Sequence, residues 1–327
     1  MRVFLTLDYE LFMGVSGTPY KCLIEPMRYL QAVIKEKDIK LTLFVDAAYL
    51  LRLKELMSDG DVLAKDYQDV TNHINELQRM GHRIQLHIHP QWLYSIFDGH
   101  AWHMDKEHYK LSDLSNEQQR ELISKCCKLL YDITGERVSA FRAGGYSIPD
   151  SFEDLKINGV NIDSSAQPGL YCNSRYQNYD YRDCPSKSEW RFENNPNEEV
   201  EEGFFIEYPI SIVKEGLFHY IYRRLKYKYA HTKLGKNAWG DGMSINEDNT
   251  TASVMDKLKR LVGHRYVVAS IDKIDAESLE NVYKQQKKKG ANTFVIIGHP
   301  KNLTPYSIGK LTTFITEHPE VQWDVMR

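Results

Sequence analysis

In residues 81–90 apolar and polar residues alternate, which is typical of a β-strand with two different faces. The apolar face holds Ile84, Leu86 and Ile88, and the polar face holds Gln85, His87 and His89. His87 and His89 lie on one face, so both imidazoles can reach a single point, as metal ligands must. An edge strand that carries two surface histidines is the alternative interpretation.

The first ten residues alternate in the same way. One face carries Thr6, Asp8 and Glu10, and the other carries Val3, Leu5, Leu7 and Tyr9. If the polar faces of the two strands meet, two carboxylates and two imidazoles surround one space.

Between these two stretches, apolar residues recur at the spacing of helices. The pattern predicts helices over 26–37, 47–57 and about 62–80, and a buried strand over 40–46. Gly81 ends the third helix directly before the histidine strand. This alternation predicts an α/β fold: a parallel sheet or barrel with helices outside.

The rest of the chain continues the alternation with two interruptions. Further strands are predicted over 138–142, 160–163, 204–210, 266–271, 293–300 and 321–325, and further helices over 115–134, 150–158, 253–262, 276–289 and 305–317. We interpret 167–203 and 211–250 as insertions into one catalytic domain that spans residues 1–327. Residues 90–114 form an aromatic-rich loop, predicted to be a substrate wall or a lid, with a packed surface loop as the alternative.

Composition narrows the class of protein. The net charge of the 327 residues is −3, so the chain lacks the basic surface that nucleic acids require. Five cysteines without a C-x-x-C pair favour free thiols in a reducing compartment. No apolar run reaches the length of a membrane span, and the chain runs straight into a strand without a signal-like segment. We therefore expect a cytoplasmic protein without a transmembrane segment.

Several predicted strands end in residues that carry chemistry. These residues are Asp8 and Glu10, His87 and His89, Arg142, Asp163, and His299. In a barrel of parallel strands such ends converge on one rim, where active sites are built.

The order of these elements resembles the polysaccharide deacetylase superfamily, which includes the nodulation (NodB-like) chitooligosaccharide deacetylases. The resemblance spans roughly 1–165 and 204–325. The corresponding elements are Thr6-Leu7-Asp8-Tyr9-Glu10 for the family's T-F-D-D-G, residues 81–90 for the metal histidines, Phe141–Tyr146 for the Arg-x-Pro-Tyr element, Asp163 for the weak fourth motif, and Ile297-Gly298-His299 for Leu-x-His. Three features depart from the family: Asp-Tyr-Glu replaces Asp-Asp, His-x-His replaces His-x-x-x-His, and Gly145 replaces the proline.

The resemblance implies a distorted (β/α) barrel and a divalent metal, with zinc the expected ion, held by Glu10, His87 and His89. It implies that Asp8 is the general base and that Arg142 orients it. The exchanged assignment, with Asp8 on the metal and Glu10 as base, stays open.

The resemblance also assigns the remaining roles. It implies that the backbone N–H of Tyr146 stabilises an oxyanion together with the metal, and that His299 protonates the leaving amine. Asp163 would keep His299 charged.

The expected activity is therefore metal-dependent removal of an N-acetyl or other small N-acyl group from an amino sugar. The expected setting is biosynthesis of a bacterial surface polysaccharide, with a glycan substrate that could be nucleotide- or lipid-linked. Two alternatives remain open: a metal-dependent amidohydrolase acting on a small cyclic amide, and an inactive glycan-binding relative. The sequence does not give the oligomeric state.

Overall fold

A computed structural model describes residues 1–233, 239–245 and 265–327. Within these residues the strands are β1 Arg2–Tyr9, β2 Thr42–Asp46, β3 Arg83–Ile88, β4 Ile96–Phe97, β5 Trp102–His103, β6 Ala140–Ala143, β7 Ile162–Asp163, β8 Tyr171–Asn173, β9 Asn178–Asp180, β10 Trp190–Phe192, β11 Phe205–Glu207, β12 Ile212–Lys214, β13 Tyr266–Val268, β14 Thr293–Gly298 and β15 Gln322–Asp324. The α-helices are α1 Glu25–Ile34, α2 Ala47–Leu56, α3 Asp61–Arg79, α4 Asn116–Thr134, α5 Glu153–Ile157, α6 Leu217–Lys233, α7 Leu279–Lys288 and α8 Pro305–Glu317.

The main sheet has the strand order β10-β11-β7-β6-β3-β2-β1-β14, with β15 beside the start of β1. Neighbouring strands of this sheet run parallel to each other, except for β10 and β11, which are antiparallel. Hydrogen bonds span the gap between β14 and the opposite edge: Thr293 Oγ1 donates to the Ser188 carbonyl, and the Ser211 N–H donates to the Val295 carbonyl. The sheet therefore curls into a distorted barrel, and the predicted α/β barrel is confirmed.

A layer of side chains fills the inside of the barrel. It consists of Phe4, Phe44, Ala140, Ile162, Tyr208, Val295 and Met326. The helices pack on the other face of the strands, where a second and larger core includes Leu5, Leu7 and Leu86. Because side chains alternate along a strand, Phe4 on the inside places Asp8 on the inside as well. The polar faces predicted from the sequence therefore point into the barrel.

The region from 167 to 203 differs from a simple insertion. Trp190 and Phe192 are buried, Arg191 between them is exposed, and this short strand pairs with β11 in the main sheet. The predicted helix over 253–262 lies outside the described residues. The assignment of 1–327 to a single domain with insertions stays a prediction.

Two further sequence expectations concern the helices and the thiols. Among the helices that the structure describes, none combines the length and the apolar character needed to cross a bilayer. All five cysteines are free thiols.

Candidate metal centre

Glu10, His87 and His89 meet at the carboxyl ends of β1 and β3. The Oε2 atom of Glu10 lies 3.0 Å from His87 Nε2 and 2.7 Å from His89 Nε2. One ligand atom from each of the three residues lies within 4.8 Å of the others, and all three side chains are buried. The structure thus brings together the carboxylate and both imidazoles that the sequence predicts.

Neighbouring groups orient the two imidazoles. His87 Nδ1 lies 2.7 Å from the carbonyl oxygen of Arg142, a contact in which the ring must donate. Its Nε2 then faces Glu10 Oε2, to which it donates when the ring is protonated, and the same atom would bind a metal ion when the ring is neutral. The backbone N–H of His89 donates to Asp46 Oδ1, and the indole N–H of Trp92 donates to Asp46 Oδ2.

The electrostatics of this cluster fit a cation. Burial lowers the pKa of His87, but its hydrogen bond to Glu10 and the nearby carboxylates outweigh burial and raise that pKa to about 9. Burial raises the pKa of Glu10, whereas Lys301 and the two histidines together hold it well below its usual range. The site thus favours positive charge between the ligand atoms. One carboxylate and two imidazoles form a donor set that Zn²⁺ and similar divalent ions bind.

Asp8 and Arg142 form a buried ion pair beside the cluster. Arg142 Nη1 donates to Asp8 Oδ1 at 2.7 Å, and the guanidinium is fully buried. The same guanidinium donates to the carbonyl and the hydroxyl oxygens of Ser164, both at 2.8 Å. These contacts hold the Asp8 carboxylate in a fixed orientation.

His299 lies close to both carboxylates. Its Nε2 is 3.6 Å from Asp8 Oδ2 and 3.7 Å from Glu10 Oε1. Its Nδ1 is 2.6 Å from Asp272 Oδ2, and its backbone N–H donates to Asp272 Oδ1. Burial lowers the pKa of His299, but Asp272, Asp8 and Glu10 together raise it above its ordinary value. The acidic partner of His299 is therefore Asp272.

The expected pairing of Asp163 with His299 is wrong. Ile162 belongs to the layer inside the barrel, so the next residue, Asp163, points outward. There it accepts a hydrogen bond from Ser165 and shares a buried contact with Glu207. Burial raises the pKa of both carboxyl groups, and the pair is held at least partly protonated.

The glycine-rich turn after β6 packs directly against the histidine strand. A Cβ atom on Gly144 would lie 2.3 Å from the carbonyl oxygen of Ile88 and 2.9 Å from His89 Nδ1. Gly145 and Tyr146 both have positive φ angles, so the turn is tight. The oxyanion role of the Tyr146 N–H stays a prediction.

A cavity of about 370 Å³ opens above the cluster. Its lining comprises Glu10, Met13, Tyr109, Tyr176, Gln177, Ser244, Ile245 and Lys301. The Tyr109 ring lies 5.5 Å from the His89 ring and 5.4 Å from the Tyr176 ring, in edge-on contact with both. The cavity thus combines a charged floor with an aromatic wall, as sites for small polar ligands do.

One part of the aromatic loop over 90–114 packs into the core, and another part lines the cavity. Trp92 and Trp102 are buried against each other and against Tyr49. Of this loop, Tyr109 contributes the wall of the cavity. The substrate-wall prediction therefore fits the end of the loop, and the packing alternative fits its tryptophans.

A comparison with known families matches residues 25–161 to a family described as polysaccharide deacetylase. The matched range contains His87, His89 and Arg142. Over this range, the chain is similar to the polysaccharide deacetylase family. This similarity supports deacetylase activity, the hydrolysis of an amide bond. Among proteins of curated function, no match is found.

Solved structures resemble the chain at low identity. A Mycobacterium smegmatis protein assigned as a polysaccharide deacetylase is 13% identical with a TM-score of 0.49, over 98% of this chain and 87% of that one. The allantoinase PuuE is 16% identical with a TM-score of 0.49, over 99% of this chain and 87% of its own. A Pseudomonas aeruginosa PAO1 protein, also assigned as a polysaccharide deacetylase, is 14% identical with a TM-score of 0.48, over 99% and 87%.

The candidate site includes three residues that the sequence reasoning missed: Asp46, Asp272 and Lys301. Lys301 is buried, and its Nζ donates to Glu10 Oε1 at 2.8 Å and to the Leu11 carbonyl at 2.6 Å. Because Lys301 binds Oε1, Glu10 presents its Oε2 atom to His87 and His89. Asp46 ends a predicted strand and Asp272 directly follows one, so a search for acidic residues at strand ends could have found both. Lys301 is not acidic, so that search would have missed it.

Proposed function

We propose that this chain is a metal-dependent deacetylase that removes an acetyl or other small acyl group from the nitrogen of an amino sugar. The observation that carries the proposal is the convergence of Glu10, His87 and His89 on one point. The ion pair of Asp8 with Arg142 and the imidazole of His299 lie beside that point. This arrangement offers a metal site, a base and an acid within one pocket.

The ligands proposed for a divalent ion, with zinc as the expected one, are Glu10 Oε2 and the two Nε2 atoms. When bound, such an ion supplies Lewis acidity toward an amide carbonyl and toward water. The contacts favour Glu10 over Asp8 as the ligand, because Glu10 faces both imidazoles while Asp8 is held by Arg142.

The proton transfers are assigned to Asp8 and His299. Asp8 accepts a proton from the attacking water, and Arg142 keeps its carboxylate oriented. His299, with its positive charge stabilised by Asp272, donates a proton to the leaving amine nitrogen. The backbone N–H of Tyr146 is proposed to donate to the developing oxyanion.

The proposed setting is the biosynthesis of a surface glycan inside the cell. The five free thiols support a reducing compartment. A substrate in that compartment would be a nucleotide- or lipid-linked amino sugar, or a growing glycan. Cell fractionation, with the chain followed by antibody, tests the location: recovery with periplasmic or secreted proteins would contradict it.

Acetate release from N-acetylated amino sugars tests the activity. We expect release to stop on chelation, to return with added Zn²⁺, and to be lost in Asp8→Asn and His299→Ala. His103→Ala is the matched histidine control, because His103 is exposed and pairs with Asp98 away from the cavity. Activity that survives both chelation and His299→Ala would refute the proposal.

A small cyclic amide is the second candidate substrate, since the cavity of about 370 Å³ is small. A parallel screen of ureides and amino sugars separates the two. Turnover of ureides alone would replace the amino-sugar proposal.

A further inference from the structure

The helix α6 turns a row of apolar and aromatic side chains toward the outside of the molecule. Five of them are between 41% and 89% exposed: Leu217, Phe218, Ile221, Tyr222 and Leu225. At 3.6 residues per turn, these five positions fall on one continuous arc of about 140° around the helix. They therefore form a single exposed face, which we call the α6 stripe.

The charged side chains of α6 hold the helix against the rest of the chain. Arg223 donates from Nε and Nη2 to the buried carboxylate of Glu215 at 2.9 and 3.0 Å, and His219 Nδ1 lies 2.7 Å from the same carboxylate. Lys226 pairs with Glu277. A helix at the surface of a globular protein normally packs its apolar face on the core and turns its charged face to water. The orientation of α6 is the reverse, so its apolar stripe is left for a partner.

The sequence of α6 adds positive charge to this stripe. The helix Leu217–Lys233 holds five basic residues and neither aspartate nor glutamate, although the whole chain has a net charge of −3. Three carboxylates pair with the helix from outside it, and five basic residues against three carboxylates leave a positive excess of two. The partner that fits this surface therefore combines negative charge with an apolar layer.

An anionic lipid bilayer has both properties. A helix with an apolar face, basic residues and aromatic rings lies in the boundary between the headgroups and the acyl chains. Its basic residues are attracted to acidic headgroups, and tyrosine rings favour this boundary because they have an apolar body and a polar tip. With five basic residues among 17, α6 is suited to lie along a membrane and not to cross one.

A second copy of the chain fits the stripe less well. In a symmetric dimer the same patch meets itself, so the basic residues of two α6 helices would lie close together with no acidic residue on either helix. Like charges placed face to face oppose association. A bilayer that contains acidic lipids neutralises the same charges.

We propose that α6 is a peripheral membrane anchor, whose apolar stripe enters the headgroup boundary of an anionic lipid bilayer. The basic residues of the helix supply the preference for acidic lipids. This role does not depend on the proposed deacetylase activity.

Cosedimentation of the full chain with lipid vesicles tests the anchor. We expect binding to vesicles of mixed phosphatidylglycerol and phosphatidylcholine to be at least about tenfold tighter than binding to phosphatidylcholine alone, and to weaken as salt is added. The double variant Phe218→Ser/Leu225→Ser should bind the mixed vesicles at least about tenfold more weakly, with an unchanged Tm. Ile157→Ser is the matched control, because Ile157 is 69% exposed at the end of α5 and should bind as the unmodified chain does.

A second pair of variants tests the charge. Arg224→Gln combined with Lys228→Gln should reduce the preference for phosphatidylglycerol by at least about tenfold. Lys125→Gln combined with Lys128→Gln is the matched control, because these lysines lie on α4 and pair with acidic residues of the same helix. The control pair should keep the preference of the unmodified chain.

Two vesicle results would overturn the proposal: no binding of the unmodified chain to the mixed vesicles, or equal binding by the Phe218→Ser/Leu225→Ser variant. Sedimentation velocity supplies a third, because a dimer that this variant abolishes would assign the stripe to a second copy of the chain. A Tm loss in this variant well beyond that of Ile157→Ser would show that the stripe packs against the chain itself, and would overturn the proposal as well.

Discussion

The replacement Asp272→Asn tests the proposed role of His299 as the acid. Asp272 Oδ2 lies 2.6 Å from His299 Nδ1, and both side chains are about 15% exposed, so solvent screens the pair only weakly. Burial lowers the pKa of His299 and the Asp272 charge raises it, so the substitution should lower this pKa and destabilise the imidazolium.

The assay is the pH dependence of kcat for acetate release. His299 must be protonated to act as an acid, so activity falls as the pH rises through its pKa. Removing the Asp272 charge lowers that pKa, and the alkaline limb of the profile should move to lower pH. At neutral pH kcat should fall, with about 10²- to 10⁴-fold, the usual contribution of general acid catalysis, as the upper limit.

Asp163→Asn is the matched control, since the buried side chains of Asp163 and Glu207 point away from the inside of the barrel. The alkaline limb of the Asp163→Asn pH profile should stay in place, whatever the substitution does to protein stability. An unchanged limb in Asp272→Asn, or a shifted limb in Asp163→Asn, would refute the assignment of Asp272.

Three further predictions concern stability. Lys301→Met removes a buried cation from the Glu10 carboxylate, whose other partners are His87 and His89, so the metal-free protein should lose up to about 3–5 kcal/mol of unfolding free energy in urea titrations; added Zn²⁺ should then raise its Tm more than that of the unmodified protein. Gly144→Ala should cost about 1–3 kcal/mol through overpacking, measured in the same way. Glu207→Gln should flatten the decline in unfolding free energy above pH 4.5, because the raised pKa of Glu207 keeps this carboxyl protonated in the folded state while it ionises in the unfolded one.

The lysine and glycine substitutions each have a matched control. Lys310→Met removes a partly exposed lysine that pairs with Glu277, and it should change the unfolding free energy by less than about 1 kcal/mol. Gly309→Ala places its Cβ in open space within α8 and should be neutral or stabilising. A Lys301→Met protein as stable as the Lys310→Met protein without metal would contradict the role of Lys301. Equal effects of the two glycine substitutions would contradict the packing of Gly144.

Strand alternation predicted the cluster of Glu10, His87 and His89 because alternation is a local property. The period of two put His87 and His89 on one face and Asp8 and Glu10 on another, and the barrel brought those faces together. The prediction failed at β7, where the wrong residue was expected to face the inside of the barrel. Asp163 ends a predicted strand, yet Ile162 is the residue that faces inward, and a strand this short gives too little alternation to decide its face.

Other parts of the site depend on contacts between distant segments. Lys301 reaches Glu10 across 291 positions of sequence, and Asp241 reaches Thr18 across 223. Neither residue belongs to an amphipathic pattern, so their partners follow from the closure of the barrel and not from the local sequence. The small cavity is likewise a product of three loops that meet at its mouth.

The central claim is that Glu10, His87 and His89 hold one divalent ion that the activity requires. The most direct test is calorimetric titration of the metal-free protein with Zn²⁺, together with a crystal structure recorded at the zinc absorption edge. The account predicts one ion per chain, an anomalous peak between Glu10 Oε2 and the two imidazoles, and loss of both the binding and the activity in His89→Ala. An active protein that binds no ion at these residues would contradict it.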